Sequence, residues 1–398
     1  MSDPRRETNF ARPAGHVSAP MRASETTDVV VVGAGAIGLA CAWRAAQRGL
    51  SVRVLERAEP GAGASGVAAG MLAPVGEATW GEDRLLAAAL ASHALWPKFA
   101  AEVAEAGDRD PGYIAGGALH VALDRDEAGE LRRRFELMQE LELDAEWLQG
   151  GECRAFEPGL HPAIHGGVHA PHEAGVDPGA LVLALRAACE GAGAEVLSGA
   201  EAVEAIVDGG RFAGVRTADG GRHRAERTVL AAGAWSGAAD WLPPDARPPV
   251  RPVKGQILTL RGPSIASRIV VTERVYLVPR ADGRLIAGAT VEELGFDIRV
   301  TAGGVHELLR EAYRALPDVG ELELELAAAG LRPGTPDNAP IVGPAAIEGL
   351  VLATGHFRNG ILLAPITAAG VAALLVGEEP AAELAVADPA RFGAVASR

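Results

Sequence analysis

The chain has 398 residues, room for roughly two or three domain-sized units, and 48% of them are hydrophobic, ample for a packed core. A net charge of −15 with no basic run argues against nucleic acid or an acidic membrane surface as a partner, and no apolar run approaches the roughly 20 residues that span a bilayer. Three cysteines, Cys41, Cys153 and Cys189, stand far apart in no metal spacing, which suits buried thiols in a reducing cytoplasm.

Residues 1–27 carry Arg5, Arg6, Arg12 and Arg22 among prolines and small polar residues, and read as a disordered leader. Arg5-Arg6 does not make an export signal, because no apolar segment follows before Asp28; Met21 is a candidate start. Val29 to Val32 then read as a strand buried on both faces. Gly33, Gly35 and Gly38 follow at the spacing G-x-G-x-x-G, Ile37 to Gln47 reads as a helix ended by Gly49, and Ser51 to Leu55 as a second strand closing on Glu56. Gly33 lets the chain turn out of the strand, Gly35 lets the backbone approach a pyrophosphate at a helix N-terminus, and Gly38 packs helix on strand. Glu56 can accept the hydroxyls of an adenosine ribose, which disfavours NADP; the motif alone does not choose between NAD and FAD.

Gly61 to Pro74, GAGASGVAAGMLAP, is a small-residue loop open to a flat ligand. Asp83 to Glu105 reads as a helix, Tyr113 to Leu123 as a hairpin, and Glu127 to Leu141 as an amphipathic helix with a solvated charged face. His161, His165, His169 and His172 share a loop whose prolines and glycines deny them a common helix face, so no metal site is expected. Asp177 caps a helix with Pro178 at its first position, running to about Cys189, and Glu195 to Leu197 is a strand. Ala202 to Val207 and Arg211 to Thr217 form a meander, and the strand beginning at Thr228 runs into Ala232-Gly233, where a ligand could cross closely.

Arg247 to Val253 looks like a crossing between domains, and Lys254 like a structural ion-pair partner. Gln256 to Leu260, Ile269 to Thr272, Val275 to Pro279 and Leu285 to Ala289 alternate like antiparallel strands, and Val305 to Leu316 is a helix. Arg332 follows an apolar strand and precedes Pro333-Gly334, an odd place for a solvated arginine. Leu350 to Ala353 is a strand, Gly355 to Gly360 a loop, and Ile361 to Val376 an apolar helix whose N-terminus favours negative charge. Two nucleotide-type loops at opposite ends suit a long ligand with an anionic ring system better than NAD.

The motifs ASGVAAGMLAP, VDP, TVLAAGAWS, YLVPR, GLRPGTPDNAPIVG and ATGHFRNGILLAP, in this order after the glycine motif, resemble the FAD-dependent D-amino-acid oxidase family, and within it the bacterial glycine oxidases, over about Asp28 to Val376. The resemblance implies an α/β flavoprotein with a discontinuous Rossmann-like FAD-binding domain (28–106, 170–248 and 332–380), a substrate domain with a mainly antiparallel sheet and helices (107–169 and 249–331), and a tail at 381–398. FAD would be non-covalent, since no cysteine follows Cys189. Ala36, Ile37, Glu56 and Arg57 would meet its adenosine half, and either Val203 or Ala202 the adenine. Ala64, Ser65, Ala69, Gly70 and Met71 would line flavin and pyrophosphate; His356, Phe357, Arg358, Asn359, Gly360, Ile361 and Leu362 would wrap the pyrimidine end of the ring. Arg332, Arg358 and Tyr276 would hold a substrate carboxylate.

The implied reaction is oxidative deamination of glycine with O2 and water to glyoxylate, ammonia and H2O2, with the imine serving thiazole formation in thiamine biosynthesis. Sarcosine, other N-alkylglycines, small D-amino acids, a quinone acceptor or a redox-silent flavin subunit are the competing readings. Relatives of this kind are often tetramers, so a homo-oligomer is expected.

Overall fold

The computed structural model describes residues 26–393, so all but the last two residues of the expected leader lie outside the described residues, as do 394–398. The four-valine strand, Thr27–Val32, is central to the first of two large sheets. It pairs in parallel with Val52–Leu55 on one side and Arg222–Leu230 on the other, and Glu195–Leu197 and Leu350–Thr354 extend the parallel layer at either end. Val29 and Val31 enter one core cluster while Val30 and Val32 enter another, so both faces of this strand are covered. Helices Ala36–Gln47, Asp83–Gly107, Pro178–Gly191 and Ala364–Leu375 bury Trp43, Trp96, Phe99, Leu185 and Val371 against one face. The antiparallel meander Ala202–Asp208, Arg211–Thr217 and Arg222–Leu230 leads into the other, with Phe212 at its centre.

The second sheet is mainly antiparallel. Its order is Glu323–Gly334, Arg251–Arg261, Arg284–Gly288, Tyr276–Pro279, Ile269–Val271, Ala118–Ala122, Gly166–Ala170 and Glu146–Gln149. The long pair Arg251–Arg261 with Glu323–Gly334 runs in register from Arg251↔Gly334 to Arg261↔Glu323, so the sheet keeps residues three past the boundary drawn at 331. The α/β class and the antiparallel character of this sheet are as expected.

Two local expectations change. Tyr113 to Leu123 is no hairpin: Ile114–Ala115 pairs with Ala174–Gly175 in a small sheet with Met71–Leu72, whereas Ala118–Ala122 joins the large one. Gly117, at φ +70°, turns the chain between them. The final helix starts at Ala364, not Ile361, because Gly360 to Leu363 form turns and Pro365 is best placed in a first turn. The start of the tail is anchored, with Leu384 and Ala387 buried in the core. Among the described residues no helix is long and apolar enough to cross a membrane.

Candidate active site

Both sheets wall a single cavity of about 1040 Å³, running from the glycine motif to the strand that carries Tyr276. At its first end Gly33, at φ +107°, has no room for a Cβ, which would come within 2.5 Å of the Ala231 carbonyl oxygen. Gly35 lines the cavity, and a Cβ there would lie 3.3 Å from Ser65 Oγ. Ser65 accepts from the Ala36 N–H (3.0 Å), which ties the small-residue loop to the helix N-terminus. Glu56 takes the N–H of Ala34 (2.8 Å) on one oxygen and that of Ala58 (3.0 Å) on the other, leaving lone pairs on each for two hydroxyls. Ile37, Arg57, Ala202, Val203 and Gly233 line the same end, and the Arg57 guanidinium lies 3.9 Å over the Trp235 ring.

Ala64, Ala69, Gly70 and Met71 form the middle. This stretch is clamped from two sides. Val176 N–H donates to Gly70 C=O (2.9 Å), and Arg280, from the second sheet, donates to Ala69 C=O. Asp177 caps its helix through Gly179 (2.9 Å) and Ala180 (3.1 Å) and also receives Arg284 (2.5 Å), with Arg280 at 4.0 Å. Burial pushes the Asp177 carboxyl up, but the Ala180 N–H and the two guanidiniums outweigh it and hold the group below the usual carboxylate range.

The far end holds Tyr276, Arg332, His356, Phe357, Arg358, Gly360 and Ile361. Arg332 Nη1 donates to Thr290 C=O (3.1 Å) and Lys254 C=O (3.4 Å), which fixes the plane of the guanidinium and leaves its other edge for a ligand. A Cβ on Gly255 would collide with that guanidinium, and one on Gly288 with the Tyr276 ring. Burial pushes the Tyr276 phenol up, against the charge of Arg332, so it remains a hydroxyl donor. Burial pushes His356 down to about 3; it is a neutral imidazole with Nε2 3.0 Å from Thr367 Oγ1.

Arg358 reaches the wall already paired, its Nε 2.9 Å from Glu77 Oε2 and Nη2 3.7 Å from Glu82. Gly38, Asn359 and Leu362 are not in the wall. Gly38 packs against the Gly33 carbonyl, and the Leu362 carbonyl accepts from Ser92 Oγ (2.7 Å) and Trp96 Nε1 (2.9 Å). Asn359 and Leu362 flank a small neighbouring pocket instead.

Sequence reading missed Glu77, His120 and Arg134, which line the cavity beside Arg358. Arg134, on the helix whose charges read as solvated, donates to Gly76 C=O, while buried His120 and Glu173 lie 3.4 Å apart and Glu173 receives the Gly76 N–H. An acid three residues past Pro74 in an otherwise apolar loop was the one available signal. Lys254 does form an ion pair, at 3.3 Å from Glu292. Of the loop histidines, His172 pairs with Asp144 (2.8 Å) and His169 packs on Phe156; among the described residues no three His, Cys, Asp or Glu are grouped for a metal.

The family model for FAD dependent oxidoreductases, DAO, matches residues 28–374, and the chain belongs to that family. Its coenzyme is accordingly FAD. The glycine cradle at Gly33 and Gly35, the acceptor Glu56 and the cavity's volume fit it, and among the described residues no cysteine lines the cavity.

Among relatives, the bifunctional protein ThiO/ThiG of Trichormus variabilis is 37% identical over 361 residues, covering 89% of this chain and 53% of that protein. The chain thus spans about half the length of that relative. The glycine oxidase of Geobacillus kaustophilus is 35% identical, over 90% of this chain and 95% of that one. A crystal structure of glycine oxidase from the same organism superposes with a TM-score of 0.86 over 92% of this chain and 99% of the other, at 35% identity.

Proposed function

We propose that this chain oxidises the amine of glycine, releasing glyoxylate, ammonia and H2O2, in a reducing cytoplasm where its three thiols stay buried, with the imine drawn on for thiazole formation. The observation that carries the reading is Arg332. It offers a guanidinium edge, fixed by two carbonyls, into the cavity beside a protonated tyrosine. A zwitterionic amino acid needs such a planar bidentate cation for its carboxylate, which lysine does not provide.

FAD, when bound, would supply the two-electron acceptor for the substrate's Cα hydride, with O2 as the final oxidant. The chain's own residues orient and exclude. Arg332 and Tyr276 hold the carboxylate so that the Cα–H bond is aimed. Arg358, paired with Glu77 and 3.7 Å from Glu82, closes that end of the cavity. His356 stays neutral and adds no charge at that end of the cavity. Hydrolysis of the imine by water then gives glyoxylate and ammonia.

Purified holoenzyme assayed for peroxide with glycine, sarcosine and D-alanine is expected to give its highest kcat/KM with glycine. No peroxide from glycine overturns the proposal. Arg332→Ala is expected to raise the glycine KM strongly, since a lost charge-assisted contact costs about 2–5 kcal/mol, while the visible flavin spectrum is kept. An unchanged KM removes the carboxylate assignment.

A further inference from the structure

Lys254 is 0% exposed, and lysine is almost never fully buried unless something specific requires its charge. It does not face the cavity. On the strand Arg251–Arg261, Gly255 and Ile257 line the cavity, so Lys254 and Gln256, alternating with them, point to the opposite face, where Gln256 meets Gly304 of the helix Ala302–Ala315.

On that far face the two side chains fasten the loop 290–301. Lys254 and Glu292 exchange both backbone hydrogen bonds (2.9 Å each), and Lys254 Nζ lies 3.3 Å from Glu292 Oε2. The other oxygen of Glu292 accepts from Thr290 Oγ1 (2.6 Å) and Gln256 Nε2 (2.7 Å). Gln256 secures both ends of the loop: its backbone N–H donates to Thr290 Oγ1 (2.9 Å), and its side-chain oxygen accepts from the Thr301 N–H (2.8 Å). On the cavity face, the carbonyls of Thr290 and Lys254 are the two that Arg332 Nη1 donates to, and Gly255 between them leaves the guanidinium its seat. The loop also sends Val291 and Ile298 to the cavity wall.

We propose that Lys254, Gln256 and Glu292 form a clasp on the back of the second sheet that positions Arg332 for the substrate carboxylate, an inference that rests on the carboxylate reading of Arg332. All three are positioning residues, acting through the Thr290 carbonyl. The buried ammonium makes the clasp tight: lifting Glu292 away would leave Lys254 uncompensated in a dry site, so the loop has one stable seat. Removing the carboxylate charge alone loosens that seat. Removing both charges lets an apolar contact restore it in part.

The test uses the holoenzyme and acetate, a carboxylate without an amine, whose dissociation constant is read from its perturbation of the visible flavin spectrum. Glu292→Gln is expected to raise the acetate Kd and the glycine KM about tenfold, while kcat and the FAD Kd stay within about twofold. Lys254→Met/Glu292→Gln should recover part of that loss. Thr290→Val, which keeps the charges and removes only the hydroxyl bonds, should show a smaller shift in the same direction and carries the test should Glu292→Gln not fold. An acetate Kd unchanged in every clasp variant that folds, with Arg332→Ala raising it, overturns the clasp alone. An acetate Kd unchanged in Arg332→Ala as well overturns the carboxylate reading and the clasp with it.

Discussion

At the far end of the cavity, two residues without side chains set the geometry of two that have long ones. Gly255 lies under the Arg332 guanidinium and Gly288 under the Tyr276 ring, and a methyl group at either would occupy space already filled. Gly255→Ala is therefore expected to push Arg332 off its two carbonyls. Steady-state kinetics should show a raised KM for glycine, the proposed substrate, with a smaller change in kcat, because ground-state and transition-state carboxylate binding are lost together. At the other end, Gly35→Val is expected to abolish FAD retention on dialysis, since its side chain would occupy cavity space at the helix N-terminus, the kind of place that binds a pyrophosphate. The first glycine motif was legible because its strand, turn and helix are contiguous. Gly255 and Gly288 were not, because each is explained by a side chain far away along the chain.

Among the elements, the small-residue loop shows most clearly how the two sheets share one cavity. Arg280, 5% exposed in its side chain, reaches from the second sheet to the Ala69 carbonyl, while Asp177, at the cap of a helix on the first, anchors both Arg280 and Arg284. The motifs VDP and YLVPR, read separately in the chain, are thus two halves of one fastening. Arg280→Met is expected to weaken FAD binding about tenfold or more, the order of a lost charge-assisted hydrogen bond, measured by the return of flavin fluorescence on release. The Asp177 carboxyl is held below its usual range, so its contribution to stability is present above about pH 4 and fades as pH falls through its folded value. Asp177→Asn should accordingly be less stable than the parent at pH 7, with the gap closing in acid, as read by denaturant melts across pH.

Elements were legible where periodicity and caps are local, as for Asp177 and Pro178. They failed where pairing is distant. The segment around Gly117 divides its two short strands between sheets, and Arg134 turns a charge of a surface helix inward to Gly76. No hydrophobic pattern carries that information, since it depends on which surface a neighbouring loop presents.

At the scale of the whole molecule, the cavity has no wall that belongs to one stretch of chain. Its lining runs from Val32 near one end to Ile361 near the other, with both sheets between. A ligand filling it therefore ties together parts that also meet where Val67, Ala69 and Met71 pack on Ile257, Val278 and Ile286, and through bridges such as Arg280 to Ala69. Binding to the folded state alone stabilises by RT ln(1 + [L]/Kd), about 2.7 kcal/mol at a hundredfold excess over Kd. Removing FAD is thus expected to lower the melting temperature, and titrating it back should raise it by an amount that follows its concentration. Calorimetry separates this from a local effect. If the two sheets are coupled mainly through the coenzyme, the apoprotein should melt in a broader or split transition that merges into one on reconstitution. A single sharp apo transition at the holo temperature would mean that the protein contacts alone hold the sheets together.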